Sequence, residues 1–222
     1  MGTRKGLTLI AALALLDGCA NYSTLQTPET VPERAAEIGF GGTYNNYTLE
    51  IETTSTSTAP DGTTVTDTST SREDFGVPAL ALWLRYGITD RLEIHGLTWL
   101  PLGTTVGGKY MLVGERDQPG FIFSPGLDLS VPLEISVNDD STILFDLYTP
   151  MHLGYRANES FAVYLTPKYV LRFVDDNVGH SVGGTLGVAI GDETTFLIEG
   201  GVYQDTLVDD QIINGAIGIG FE

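Results

Sequence analysis

Three aspartate pairs, Asp139-Asp140, Asp175-Asp176 and Asp209-Asp210, with His180 close to the second, are the residues best suited to bond-breaking chemistry. A carboxylate pair can orient a water molecule while a His–Asp couple takes its proton. The same clustered oxygens suit a hard cation, so Ca²⁺ or Mg²⁺ is a candidate partner. Aspartate in a tight turn also has a local reason, because its side chain bonds the turn backbone. A second set is ionic rather than reactive: Arg85, Glu93, Lys109, Asp128, Glu134, Asp146, Lys168, Arg172 and Glu199. His95 and His152 stand alone, no Cys/His spacing suggests zinc, and no cofactor is expected.

The elements that carry these residues are strands. Leu80, Leu82, Leu84 and Tyr86 alternate with Ala79, Ala81, Trp83 and Arg85, which is the period of a strand with one apolar face. The pattern repeats over ten segments, near 37–51, 75–87, 91–100, 104–114, 120–135, 141–156, 160–174, 179–190, 194–205 and 211–222. In the first, Ile38, Phe40 and Tyr44 change parity to Tyr47, Leu49 and Ile51, which predicts a bulge near Asn45–Asn46. Every member of the ionic set falls on the polar face. Short polar turns follow the even-numbered strands, and a Thr/Ser-rich stretch, Thr53–Asp74, follows the first. An even strand number, turns on one rim, a greasy outside and a polar inside describe an all-β, antiparallel up-and-down transmembrane β-barrel of about ten strands. Phe40, Tyr86, Phe121, Tyr155, Phe161, Phe196 and Phe221 fall on the apolar face at the turn end, as a membrane girdle requires. The ionic set holds four cations and five anions, so a salt-bridged lumen filling is expected.

Ahead of the barrel (37–222) the chain reads as an export signal. Arg4 and Lys5 precede the apolar run Leu7–Leu16, too short to cross a bilayer as a helix. Leu16-Asp17-Gly18-Cys19 resembles a lipobox, which would remove residues 1–18 and lipidate Cys19; Asp17 departs from its pattern. Gly18 and Ala20 alternatively form an ordinary cleavage site that loses Cys19. Residues 19–36 hold Pro28 and Pro32 without periodicity and are expected to be a lipidated periplasmic tether. The net charge of −18 excludes nucleic acid, whose phosphates need the opposite field.

RYGITDRLEI (Arg85–Ile94), Gly107-Gly108-Lys109-Tyr110 and TLQTPETVP (Thr24–Pro32) resemble segments of small bacterial outer-membrane β-barrel proteins, including uncharacterised exported ones. The terminal IGIGFE is similar to a barrel-assembly signal, although Phe221 is penultimate rather than last. The resemblance implies an outer-membrane location, with outer-membrane lipid and the barrel-assembly and lipoprotein-sorting machineries as partners. The expected function is a non-enzymatic envelope protein, structural or narrow-pore. Two alternatives stand beside it. The Asp pairs and His180 resemble in type and height the Asp–Asp and Asp–His couples of omptin proteases, ten-stranded barrels, which implies a rim-active hydrolase; no omptin motif aligns, and these loops are shorter. A lipid-anchored soluble barrel binding a small apolar ligand would instead turn the apolar faces inward.

Overall fold

Ten antiparallel strands hydrogen-bond in chain order and the last returns to the first, so the sheet closes into a barrel. They are β1 (Ala36–Thr58), β2 (Thr64–Thr89), β3 (Leu92–Leu100), β4 (Gly103–Tyr110), β5 (Gly120–Pro132), β6 (Leu144–Asn158), β7 (Phe161–Val174), β8 (Asn177–Ile190), β9 (Thr194–Asp205) and β10 (Asp210–Phe221). The computed structural model describes residues 22–58, 64–100, 103–132, 144–174, 177–205 and 210–222. Closure runs from Ile38↔Phe221 to Asn46↔Ile213 and leaves the barrel wall without an edge strand.

Side chains alternate across the wall as the period of two demands. Leu80, Leu82 and Leu84 are exposed outside, whereas Ala79, Ala81, Trp83 and Arg85 are buried inside. Leu165, Leu186, Ile198 and Ile217 continue the outer apolar band, Leu186 and Ile217 at 64% exposure. All seven girdle aromatics are also exposed, and the rings of Phe40 and Phe221 stack across the seam at 6.2 Å. The faces are those of a barrel surrounded by an apolar medium, the reverse of a soluble barrel.

Four differences from the expected elements have physical causes. Thr53–Asp74 is largely strand: β1 and β2 pair without a register shift from Ala36↔Tyr86 to Thr58↔Thr64. Threonine is β-branched and favours strands, and Thr56 stands opposite Thr66 in that register. The same unbroken register removes the bulge proposed at Asn45–Asn46. β4 stops at Tyr110 because Met111 donates to the Arg91 carbonyl and Leu112 and Val113 both donate to that of Phe123. The largest difference concerns residues 19–36, read as a tether outside the barrel. Tyr22–Val31 is buried inside it, with Tyr22 and Leu25 wholly inaccessible.

The reversal that feeds this segment into β1 lies at the rim carrying the turns after β2, β4, β6 and β8, here called the turn rim; the opposite end is the loop rim. Ala35 donates to the Pro32 carbonyl at 3.0 Å, and Arg34, at φ 62°, donates to Gly87 at 2.8 Å. A side chain at Gly87 would meet the Pro32 carbonyl oxygen at 1.9 Å, so the close approach requires glycine. Barrel-forming residues thus begin and end at the turn rim, but the chain ahead of β1 does not stay there.

Candidate functional site: a lumen closed by the N-terminal segment

An irregular chain inside a barrel brings backbone N–H and C=O groups that no ladder satisfies. The lumen supplies their partners. Thr24 N–H donates to Glu199 (2.8 Å) and Val31 N–H to Glu93 (2.9 Å). Carbonyls are met by Lys168 at Tyr22 (2.9 Å), Lys109 at Thr27, Ser124 at Pro28 (2.6 Å) and Arg85 at Glu29 (2.6 Å). Pro28 carries no N–H and so needs one partner fewer.

Side chains complete the seating. The Glu29 carboxylate forks onto the Arg156 guanidinium. Ser23 shares a hydrogen bond with Thr43 (3.0 Å) and accepts one from Asn214 (2.7 Å). The Tyr22 hydroxyl donates to Asp205 (3.0 Å) and lies 3.0 Å from the Ser181 hydroxyl, while its ring packs 4.4 Å from that of Tyr203. Through Thr43, Arg85, Glu93, Lys109, Ser124, Arg156, Lys168, Ser181, Glu199 and Asn214, every one of the ten strands hydrogen-bonds the segment.

Eight of the nine ionic residues singled out in the sequence are buried in this lumen; Glu134 lies outside the described residues. They form clusters rather than one chain. At the turn rim Arg85 bridges Glu37 (2.7 Å) and Glu93 (2.9 Å), and Lys109 stands 3.4 Å from Glu93. His95 faces inward and meets Asp128 at 3.0 Å. His152 is also inward, 3.3 Å from the Thr166 hydroxyl. Nearer the loop rim Arg172 joins Asp146 (3.0 Å) and Asp205 (3.4 Å). Lys168 lies over the Tyr148 ring at 5.4 Å, and Glu199 accepts from Tyr164 at 2.9 Å.

Sequence reasoning missed Glu37, Arg156, Asp205 and Glu29. The first three have the inward parity of their own strands: Asp205 is six residues beyond Glu199, and Arg156 ten beyond Asp146. Glu29 had no such signal, because the segment that carries it has no period.

Two of the inward glycines, Gly154 and Gly218, leave room for the segment, whereas Gly39, Gly183 and Gly187 make room for the wall side chains Trp83, Tyr203 and Tyr164. A Cβ on Gly154 would stand 2.5 Å from Pro28 Cγ, and one on Gly218 would stand 3.2 Å from Leu25 Cδ2. Gly154→Val is therefore expected to push Pro28 off the wall and destabilise the barrel by roughly 1–3 kcal/mol, the range for overpacking. A urea midpoint equal to that of the parent would show that Pro28 does not pack there.

Two small cavities lie among the described residues of the lumen. A cavity of about 30 Å³ lies among Glu29, Arg85, Arg116, Arg156 and Asp192 at the turn rim, and one of about 10 Å³ lies beside Gln26, Trp99 and Lys168. Each is on the scale of one or two waters. From below, Arg116 reaches the Thr30 carbonyl (3.3 Å) and also grips the Glu222 carboxylate.

Of the rim residues considered for hydrolysis or cation capture, His180 and Asp210 lie among the described residues. Asp139-Asp140, Asp175-Asp176 and Asp209 lie outside the described residues. His180 faces outward on β8 and shares a 2.6 Å hydrogen bond with Tyr169. Among the described residues no three His, Cys, Asp or Glu side chains converge as a metal would require.

No protein-family model matches the chain, and no curated protein matches it. Among solved structures it is similar to Ail, the attachment invasion locus protein of Yersinia pestis, crystallised with the heparin analogue sucrose octasulfate. Identity is 12% over 85% of this chain and 98% of that one, with a TM-score of 0.35. It is also similar to the outer membrane protein OprG of Pseudomonas aeruginosa, at 12% identity over 89% and 100% of the two chains and a TM-score of 0.23. At those scores the barrel described above rests on its own strand register and faces.

Proposed function

We propose that this protein is a bacterial outer-membrane β-barrel whose lumen is closed by its own N-terminal segment, and that it serves the envelope as a non-enzymatic structural protein. An apolar band on a closed barrel supports the location. Only closed barrels and helices satisfy every backbone group in hydrocarbon, and strands of about ten residues at about 40–45° tilt span its thickness. The observation that carries the closed reading is the hydrogen bonding of residues 22–31 to all ten strands. Of the two expected roles, structural and narrow-pore, this favours the first.

Planar-bilayer recording tests it. The wild-type barrel is expected to be electrically silent. Ser23→Cys/Thr43→Cys in a Cys19→Ser background should cross-link on oxidation, because the replaced hydroxyl oxygens are 3.0 Å apart, and should stay silent. A chain lacking residues 22–31 should conduct if it folds. Steady unitary currents through the wild type, unchanged by the cross-link, would overturn the closed reading in favour of an ion path beside the segment.

A further inference from the structure

The break that ends β4 shapes the outer surface at the turn rim. Leu112 and Val113 both donate to the Phe123 carbonyl, and Gly114 and Gly120, at φ 101° and 150°, bound the connection to β5. Glycine takes such angles without strain. Between that connection and the β2–β3 turn lies a groove of about 460 Å³, within the range of small-molecule sites. Arg91, Leu112, Val113, Glu115, Gln118 and Phe121 line it, and all six are exposed.

Its two charges are those left over after their neighbours pair. Arg116 takes Asp117 and Glu222, and Asp90 accepts from the Glu33 N–H at 3.2 Å. Arg91 Nη1 lies 3.5 and 3.4 Å from the Met111 and Leu112 carbonyls, which hold the guanidinium against the groove wall. Among the described residues its Nε and Nη2 make no hydrogen bond, and Glu115 makes no ion pair. One cation and one anion thus stand beside an apolar wall, each with donors or acceptors to spare.

That wall continues up the barrel. On the outward row of β4, Val106 and Tyr110 are exposed, and Gly108 between them carries no side chain. Gly108 stands opposite Ile94 on β3 and Leu127 on β5, both exposed, so a furrow runs between those two side chains. Phe121 belongs to the girdle at this rim, which sets the groove at the height of lipid headgroups and the furrow at that of acyl chains.

We propose that groove and furrow seat one zwitterionic aminophospholipid of the periplasmic leaflet. Its phosphate lies at Arg91, its ammonium at Glu115 and one acyl chain along Gly108. A guanidinium fork suits a phosphate, and a primary ammonium brings the N–H groups that a carboxylate accepts. An anionic headgroup has no cation for Glu115, and a quaternary ammonium has no N–H for it. The inference rests on the outer-membrane reading above.

Native mass spectrometry tests it on the barrel purified in detergent and incubated with phosphatidylethanolamine, phosphatidylglycerol or phosphatidylcholine. One phosphatidylethanolamine should be retained per barrel, about tenfold more strongly than either of the others, the scale of one charged hydrogen bond. Glu115→Gln should erase that preference, and Arg91→Gln should weaken retention of all three lipids about tenfold, both variants keeping the heated–unheated gel shift. Equal or weaker retention of phosphatidylethanolamine, or retention unchanged in either variant, would overturn the proposal. No retained lipid would overturn it too and leave the groove to a protein partner. A chain that stays monomeric in solution without detergent would overturn the membrane reading, and the proposal with it.

Discussion

Arg85→Leu is expected to cost the folded barrel about 3–5 kcal/mol, the scale of breaking a buried ion pair from one side. The side chain is only 2% exposed and donates to Glu37, Glu93 and the Glu29 carbonyl at once. Removing it leaves Glu37 without its guanidinium partner, while Glu93 keeps Lys109 at 3.4 Å, His95 Nδ1 at 3.6 Å and the Val31 N–H. It also frees the segment at the point where it enters the lumen. Arg85→Lys should fall between the two, because it keeps the charge and loses the fork. Urea titration read by the difference in gel mobility between heated and unheated protein measures both. A loss below about 1 kcal/mol, the scale of an exposed pair, would mean that water reaches the cluster and replaces the missing donor.

Leu165→Arg should disfavour insertion by about 2–4 kcal/mol, the cost of a cation on the lipid face near mid-depth. Leu165 lies outside, 44% exposed, near the middle of β7. Its neighbour Thr166 has the opposite parity, and in an open polar lumen an arginine there would be mild. The lumen is not open. Thr166 is wholly buried against His152, so Thr166→Arg has no space and should also be severe, through overpacking. The two variants separate by the bilayer: Leu165→Arg should recover in detergent micelles, whose thin apolar layer an arginine can snorkel past, and Thr166→Arg should not. Equal recovery would mean that the two faces of β7 are not distinct.

The strands were legible because their signal is local. Leu80 to Tyr86 or Phe161 to Phe173 declares strand and face within a few residues, and neither depends on a distant partner. The inward charges were legible for the same reason: Lys168 and Arg172 share the parity of Tyr164 and Thr166. What those charges do was not. Near-balance between cations and anions suggested that they pair with each other, and some do, but Lys109, Lys168 and Glu199 also hold peptide groups of residues 22–27. The Tyr22–Val31 stretch has no period because it makes no ladder. Its contacts are hydrogen bonds to residues up to 191 positions away, and nothing local encodes them. One proline and a run of small polar residues suit a free linker and a buried ladderless strand equally well.

That the segment touches all ten strands has a consequence for how the barrel is made. It is the front of the barrel domain and is synthesised before any strand, yet its partners on β9 and β10 arrive last. Its seating is therefore the longest-range event in folding, and loop-closure entropy delays such contacts. In workshop terms the segment is a mandrel. The sheet has to be wrapped around it and closed at the β1–β10 seam, because once Ile38 and Phe221 are paired the wall has no gap through which it could enter sideways. Barrel closure and lumen filling are then one step, and an unplugged barrel is a different folding product rather than an open state of this one.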